Sequence, residues 1–195
     1  MPTMSRSSKP VVVQRHRVVP AQPWDILFLV SEVSSGVARG HFSPEGCGTR
    51  QAQIALALRC AKAILGRQWM LRRLFEPVQF VVVRSAKSTL GGALVVFSRN
   101  DDGQQVVTIE CLVVESRFRR DGVGEALVRY FLTNAPEGAI VQCFCTPHSQ
   151  GMQKLLKHLG FIRNHKVFVV NKGEGRILMP SHWIWCSGLS SLPLP

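Results

Sequence analysis

The chain has 195 residues, and 46% of them are hydrophobic, which suits one domain with a real core and excludes a disordered protein. Its longest apolar runs, at 26–30 and 78–83, are far shorter than the roughly 20 residues that a membrane-spanning helix needs. The formal net charge of +12 favours polyanionic partners such as nucleotides or nucleic acid, although excess lysine and arginine can also serve solubility alone.

The cysteines and the chain ends set the expected cellular context. None of the six cysteines forms a CxxC pair, and no histidine pair has zinc-finger spacing, so we expect reduced thiols, no metal site and a cytoplasmic protein. The N-terminus lacks the apolar stretch of a secretory signal. We predict a flexible arm at 1–10, a single domain at 11–185 and a tail at 186–195.

The first half of the chain predicts one strand, two helices and three strands. The strand is expected at 11–19, the helices from Trp24 to about Ala38 and from Thr49 or Arg50 onward, and the later strands at 78–84, 91–99 and 105–114. The apolar stripe of the second helix is expected to consist of Ile54, Leu58, Ala61 and Leu65. An Asp-Gly pair within 99–105 predicts a hairpin turn.

The second half of the chain predicts two helices between further strands. The first helix carries an apolar stripe of Val123, Ala126, Leu127, Tyr130 and Phe131, and the second is marked by Met152, Leu155, Leu156 and Leu159 and ends at Gly160. Strands are expected at 139–146, 166–170 and 176–179. A helix linking 105–114 to 139–146 makes that connection a parallel crossover, so we predict a mixed sheet with helices on both faces.

The loop before the helix at 123 has the composition of an anion-binding site. Gly122 and Gly124 remove side chains where main-chain N–H groups could approach a ligand, and a helix N-terminus adds partial positive charge. Three arginines lie beside it: Arg117, Arg119 and Arg120. Asp121 is expected to cap the helix. This pattern predicts a phosphate or pyrophosphate site that is neither a P-loop nor a good Rossmann fingerprint.

The segment Arg119-Arg120-Asp121-Gly122-Val123-Gly124 resembles the R/Q-x-x-G-x-G/A loop of the GNAT (Gcn5-related N-acetyltransferase) superfamily. Val114 lies where that family usually has the last valine of the preceding strand, and LLKHLGFIR at 155–163 resembles its later helix ending in Leu-Gly-Phe. The resemblance covers roughly 20–180. It implies a GNAT-type α/β fold with a mostly antiparallel sheet and a V-shaped splay between strands 105–114 and 139–146.

The resemblance also implies a co-substrate and the residues that bind it. Family members take acetyl-CoA or another acyl-CoA and pass the acyl group to an amine. The pantetheine arm is expected in the splay, on main-chain groups near Leu112 and Val114, and the pyrophosphate on N–H groups of the glycine loop. The full expected binding set is Leu112, Val113, Val114, Arg119, Arg120, Asp121, Gly122, Val123, Gly124 and Glu125. Members often pair, so a homodimer is possible.

The family's usual proton donor to the departing thiolate, a tyrosine, is replaced here by Leu156, and Ser149 stands where an asparagine is common. The only tyrosine of the chain, Tyr130, is expected in the core. Our catalytic candidates are therefore Glu110, His148 and Ser149. By period two, Glu110 is expected to share a face with Leu112 and Val114. It is either the base that deprotonates the amine or a structural partner of a basic residue such as Arg84 or Arg99.

Two other groups of side chains have open interpretations. Cys143 and Cys145 share one face of a strand and act either near the acyl group or as small core residues. His182, Trp183 and Trp185, expected just after the last strand, line an acceptor pocket or seal the end of the sheet.

Three functions remain open from the sequence. The first is an N-acetyltransferase that moves an acetyl group to an amine by direct attack. The second is a GNAT-fold binding protein, with little or no catalysis, that acts through a macromolecular partner. The third is acetylation of aminoacyl-tRNA or another nucleic-acid-associated target, with a basic helix over 59–73 as its surface. The sequence does not identify the acceptor.

Overall fold

A computed structural model describes residues 16–43, 48–66, 78–85, 88–164, 171–172, 175–176 and 180–186. Its helices are α1 (Asp25–Ala38), α2 (Arg50–Leu65), α3 (Val123–Asn134) and α4 (Gln150–His158). Its strands are β1 (Val18–Pro20), β2 (Val78–Arg84), β3 (Thr89–Arg99), β4 (Gln105–Val114), β5 (Ile140–Cys145), β6 (Ile162–Asn164), β7 (Asn171–Lys172), β8 (Gly175–Arg176) and β9 (Ser181–Cys186).

The main sheet is mixed and mostly antiparallel, as predicted. Its strand order is β1-β2-β3-β4-β5-β9-β6, and β7 pairs with β8 separately. The β4–β5 pairing is parallel, and α3 makes the crossover between these strands. The hairpin joining β3 to β4 turns at Gly103, whose φ of 76° is the left-handed conformation that the Asp-Gly pair predicts.

Helices pack on both faces of the sheet, so the protein has two apolar clusters. The side chains of α3 and α4 cover one face, where Leu127 and Leu156 are fully buried. The side chains of α1 and α2 cover the other face, where Leu29 of α1 and Cys60 of α2 are fully buried. The alternation of the strand residues supplies both clusters, because successive side chains point to opposite faces.

The predicted apolar stripe of α2 is wrong. Its buried residues are Leu56, Cys60 and Ala63, whereas Ile54, Leu58 and Leu65 are 46–59% exposed. Both sets have helical spacing, so periodicity alone could not select the face that meets the sheet. The start of the helix is as predicted, since the Thr49 hydroxyl caps it by accepting from the Ala52 N–H at 3.1 Å.

A buried carboxylate ties α1 to the sheet. Asp25 is fully buried, forms an ion pair with Arg84, and accepts from the Thr89 hydroxyl at 2.7 Å. The Arg84 guanidinium also lies over the Trp24 ring, 5.6 Å from its centroid. A buried charge needs such partners, so this contact fixes the start of α1 on β2 and β3.

Several element boundaries differ from the predictions. The first strand covers Val18–Pro20, and α2 ends at Leu65. Residues 11–15 of the expected first strand and 67–73 of the expected basic helix lie outside the described residues. Strand β6 is not among the predicted strands, and residues 182–185, expected after the last strand, form most of β9. The expected strand at 166–170, residues 177–179 of the next strand, and the two terminal tails apart from Cys186 lie outside the described residues.

The close packing of α3 on β3 predicts a sharp difference between two adjacent glycines. A Cβ at Gly91 would lie 2.7 Å from Val123 Cγ1 and 2.9 Å from the Val113 carbonyl oxygen, whereas at Gly92 the nearest atom would be 3.3 Å away. We expect Gly91→Ala to lower the free energy of unfolding by about 1–3 kcal/mol because the core must shift. Urea denaturation measures this, and Gly92→Ala is the matched control. Equal effects of the two variants would contradict the prediction.

Candidate functional site

The glycine loop has a distorted backbone directly ahead of α3. Gly122 adopts the left-handed conformation with a φ of 84°, and Arg120 has a φ of 71°, which is unusual for a residue with a side chain. Residues 119–122 are exposed. Gly122, rather than the predicted Asp121, is the N-cap residue, and it makes no side-chain cap hydrogen bond. The start of α3 thus keeps main-chain N–H groups that could serve an anion.

Two contacts hold the glycine loop in place. The His16 Nε2 donates to the Asp121 carbonyl at 2.7 Å, which joins the segment before β1 to this loop. On the other side, the Arg119 Nε donates to the Val114 carbonyl at 3.3 Å, at the end of β4. The positive charge of Arg119 is therefore held between the end of β4 and the start of α3. No local pattern indicates this contact, because His16 lies more than 100 residues from the loop in the chain.

The β4 and β5 strands separate next to this loop. Their ladder runs from the pair Val106–Ile140 to the pair Ile109–Cys143, while β4 continues to Val114 and β5 to Cys145. This is the predicted V-shaped splay. Beyond it, Leu112 and Val114 pack with the α3 cluster, whereas Val113 belongs to the α1 and α2 cluster.

Glu110 does not share a face with Leu112 and Val114, contrary to our prediction. The β3–β4 register shifts at this point: Leu94 pairs with Cys111 and Val95 with Ile109, which leaves Glu110 as the extra residue of a β-bulge. The bulge reverses the alternation, so Glu110 lies on the α2 side. Its carboxylate accepts from the Arg59 Nη2 at 2.6 Å. Its basic partner is thus Arg59, and neither Arg84 nor Arg99.

The turn after α1 docks on the loop between β5 and α4. The Thr146 hydroxyl donates to the Gly40 carbonyl at 2.7 Å, and the Ser149 hydroxyl donates to the His41 carbonyl at 2.9 Å. His148 is exposed, and its ring packs on Gly40, where an added Cβ would come within 2.9 Å of it. The structure thus assigns Ser149 a main-chain docking contact, which our sequence reasoning did not anticipate.

His41 is a further site residue that the sequence analysis missed. Burial lowers the pKa of its imidazole, and the positive charges of Arg39 and Arg119 act in the same direction. His41 is therefore held near Arg119 of the glycine loop and near His148. The docked turn brings α1, the glycine loop and the β5–α4 loop together, although these elements are far apart in sequence.

The other side chains considered in the sequence analysis are packed in the core of the protein. Leu156 is fully buried, and Tyr130 packs against the α3 cluster while its hydroxyl accepts from the Gln79 amide at 3.1 Å. Cys143 and Cys145 are buried in the α3 cluster. Hydrogen bonding with Cys145 and burial raise the pKa of the Cys143 thiol, which keeps it protonated and unreactive.

The aromatic residues of β9 divide between the two faces of the sheet. Trp183 is buried in the α3 cluster and Trp185 packs against it, so these two rings seal that face. His182 points to the opposite face, where its ring stacks on Phe144 at a centroid distance of 4.5 Å.

The described residues contain neither a cluster of metal ligands nor a membrane-spanning helix. Among those the structure describes, no group of three or more His, Cys, Asp or Glu side chains is arranged to hold a metal ion. Within these same ranges, no helix has the length and apolar character that crossing a membrane requires.

The family model of the acetyltransferase (GNAT) family matches residues 57–161, which is more than half of the chain. No curated protein matches the sequence. The fold is similar to that of a GNAT superfamily phosphinothricin acetyltransferase from Sinorhizobium meliloti in complex with AcCoA, with a TM-score of 0.67, 16% identity and 92% of each chain covered.

A second solved structure with the same fold is Arabidopsis thaliana NAA60 in complex with a bisubstrate analogue. The TM-score is 0.57 and the identity 14%, and the match covers 89% of this chain and 98% of that one. At such identities the likeness establishes the fold and leaves the substrates open.

Proposed function

Because the chain belongs to the acetyltransferase (GNAT) family, we propose that it transfers an acetyl group from acetyl-CoA to an amine by direct attack. The observation that carries this proposal is the left-handed Gly122 at the uncapped start of α3, next to the point where β4 and β5 separate. An anion-binding helix start and a gap between strands are the two features that a thioester with a pyrophosphate tail requires.

The residues of the glycine loop and the end of β4 form the proposed acetyl-CoA site. The pyrophosphate would lie on the main chain from Arg119 through Asp121 and Val123 to Glu125, with the exposed Arg120 adding positive charge. The nearest atoms to a Cβ added at Gly124 would belong to the side chains of Leu155, Val114 and Leu112, at 3.5–3.8 Å. This glycine therefore faces the end of the splay, where the pantetheine arm would run along Leu112, Val113 and Val114.

Glu110 is the proposed base of the reaction. It is the first residue of β4 beyond the last β4–β5 pair, so its bulge lies where the splay opens. The amine nitrogen attacks the thioester carbonyl carbon, the C–S bond breaks, and the proton that the amine loses passes to the Glu110 carboxylate directly or through water. The CoA thiolate leaves without a tyrosine, since a thiol of ordinary pKa near 8.5 is a tolerable leaving group.

His148 and Ser149 have different parts in this proposal. The exposed His148 ring lies beside the docked turn and can reach a ligand in the splay, so it remains a candidate proton donor to the thiolate. Ser149 is a positioning residue, because its hydroxyl proton is donated to the His41 carbonyl.

Calorimetric titration with acetyl-CoA, followed by a free-thiol assay with a panel of primary amines, tests this function. We expect binding with one site per chain and amine-dependent release of CoA thiol. The absence of acetyl-CoA binding would overturn the proposal at its first step.

In a second candidate function, the protein binds acetyl-CoA but transfers little or none of the acetyl group and acts through a macromolecular partner. The fully buried Leu156 at the position of the usual proton donor favours it. This second function would be supported if acetyl-CoA binds but no amine, aminoacyl-tRNA included, causes release of CoA thiol. If aminoacyl-tRNA alone were acetylated, the affinity for it should fall steeply with salt, because phosphate contacts release counterions.

A further inference from the structure

The segment before β1 reaches the glycine loop through one side chain. The His16 Nε2 lies 2.7 Å from the Asp121 carbonyl oxygen, and the two residues are 105 positions apart in sequence. A carbonyl oxygen only accepts hydrogen bonds, so the Nε2 must carry the proton that it donates. The imidazole also lies beside Gly122, because a Cβ built on this glycine would be 3.9 Å from the His16 Cδ2. His16 therefore contacts both residues of the Asp121–Gly122 peptide unit.

The orientation of this peptide unit decides which of its polar groups an anion meets. In a planar trans peptide such as this one, the C=O and N–H bonds point in opposite directions. Because the Asp121 C=O points to His16, the Gly122 N–H points away from it. Among the described residues, this N–H donates to no other group. It is thus one of the donors that the start of α3 leaves for an anion.

The backbone alone does not hold this peptide unit in place. Glycine adopts left-handed and right-handed conformations about equally readily, so the plane between Asp121 and Gly122 can rotate easily. Half a turn would bring the Asp121 carbonyl oxygen, which carries a partial negative charge, to the side where the Gly122 N–H now points. An anion would then meet an acceptor instead of a donor.

Within the described part of the chain, His16 is the one side chain that hydrogen-bonds to the main chain of this peptide unit. The other contact of the loop, from the Arg119 Nε to the Val114 carbonyl, holds a side chain and touches neither Asp121 nor Gly122. The contact with His16 is therefore the one that selects between the two orientations.

We propose that His16 is a positioning residue of the acetyl-CoA site: its hydrogen bond to the Asp121 carbonyl holds the Gly122 N–H towards the pyrophosphate. This inference rests on the proposed function, which places the pyrophosphate on the main chain of the glycine loop. His16 acts from the opposite side of the peptide unit, so it changes the affinity for donors that carry a pyrophosphate and leaves the binding of the thioester and its pantetheine arm unchanged.

Two acyl donors, one with and one without the pyrophosphate, test this proposal. Acetyl-CoA carries it, whereas S-acetylpantetheine has the same thioester and pantetheine arm without it. We expect His16→Ala to raise the Kd for acetyl-CoA about two- to fivefold, because the hydrogen bond sets the fraction of loops in the binding orientation. The Kd for S-acetylpantetheine should stay unchanged. NMR titration measures both constants, since it also detects weak binding.

Conservative variants separate the hydrogen bond from the imidazole ring. In His16→Gln the side-chain amide nitrogen can take the position of the Nε2, whereas in His16→Asn it is one bond too short. We expect the glutamine variant to bind acetyl-CoA like the wild type and the asparagine variant to bind it like His16→Ala. His158→Ala, at an exposed position of α4, is the matched control and should leave the Kd unchanged.

Three results of these titrations would overturn the role of His16 while the proposed function stands. The first is equal affinity of the wild type and His16→Ala for acetyl-CoA. The second is an equal loss for both donors, which would indicate a general structural defect. The third is a loss in His16→Gln as large as in His16→Ala, because the ring and not its hydrogen bond would then be what matters.

The Gly122 amide reports the orientation of the peptide unit directly. In the wild type, its proton resonance should move downfield on titration with inorganic pyrophosphate, as expected for an N–H that donates to an anion, and the shift should be smaller in His16→Ala. Pyrophosphate binding without a change at Gly122 would contradict the inference and leave the anion site standing. A wild type that binds neither acetyl-CoA nor pyrophosphate would overturn the proposed function and this inference together.

Discussion

A variant with Gly122→Glu and Gly124→Glu should lose at least about 100-fold in affinity for acetyl-CoA. Two carboxylates would replace two glycines at the point where the pyrophosphate is expected to meet the start of α3. Like charges about 5 Å apart repel by roughly 3 kcal/mol at an effective dielectric constant of 20, which already corresponds to a factor of about 100. A side chain at Gly122 also meets the cost of its φ of 84°. Isothermal titration calorimetry measures the loss.

The matched control places the same charges and backbone strain elsewhere. Gly103 and Gly138 have φ values of 76° and 75°, and an added Cβ at either would meet no atom within 4 Å. The variant with Gly103→Glu and Gly138→Glu therefore carries the same change in net charge, with left-handed strain at both of its positions. It should bind acetyl-CoA like the wild type. Equal losses in the two double variants would show that net charge or stability, and not the loop, causes the effect.

The sequence predicted the central part of the fold well, for a physical reason. The strands at 78–84 and 105–114 have the predicted bounds, because β-branched residues and turn signals frame them. Helix α3 also begins within one residue of the predicted start, since the glycines end one element and open the next. These are local properties of the chain, so adjacent residues are enough to specify them.

The parts that could not be predicted depend on contacts distant in sequence. Packing against the sheet determines which face of α2 is buried, and the register between β3 and β4 determines the bulge at Glu110. Neither feature can be recognised from the local hydrophobic pattern of the sequence. The docking of Ser149 on the His41 carbonyl joins residues more than 100 positions apart. The glycine loop was therefore recognisable as a motif, whereas the surroundings of the catalytic candidates required the tertiary structure.

The bulge changes what Glu110 can do. If Glu110 shared the face of Leu112 and Val114, as period two predicts, it would face α3. The extra residue turns it to the opposite face, which also carries Phe144 and His182. In the proposed reaction, a base on that face would meet the acceptor and not the cofactor. The ion pair with Arg59 holds the carboxylate in position, and Arg59 and Glu110 have side chains 39% and 26% exposed, so the pair stays open to solvent.

Glu110→Gln should lower kcat by about 100-fold near neutral pH, the lower range for removal of a general base, and leave the Kd for acetyl-CoA unchanged. Glutamine keeps the size of the side chain but cannot take the proton of the attacking amine. An alkylamine with a pKa near 10 is almost entirely protonated at pH 7, so the loss should be largest there. As the pH approaches about 10, the amine is neutral without help, and the two rates should converge.

The pH profile separates this role from a structural one. If Glu110 served only to hold α2 through Arg59, the substitution would lower the melting temperature and reduce the rate by one constant factor at every pH. Glu137→Gln, at an exposed position before β5, is the matched control and should leave both unchanged. A rate ratio between wild type and Glu110→Gln that is flat from pH 7 to pH 10 would remove Glu110 from the proposed chemistry, and the proton of the amine would then have to leave through solvent.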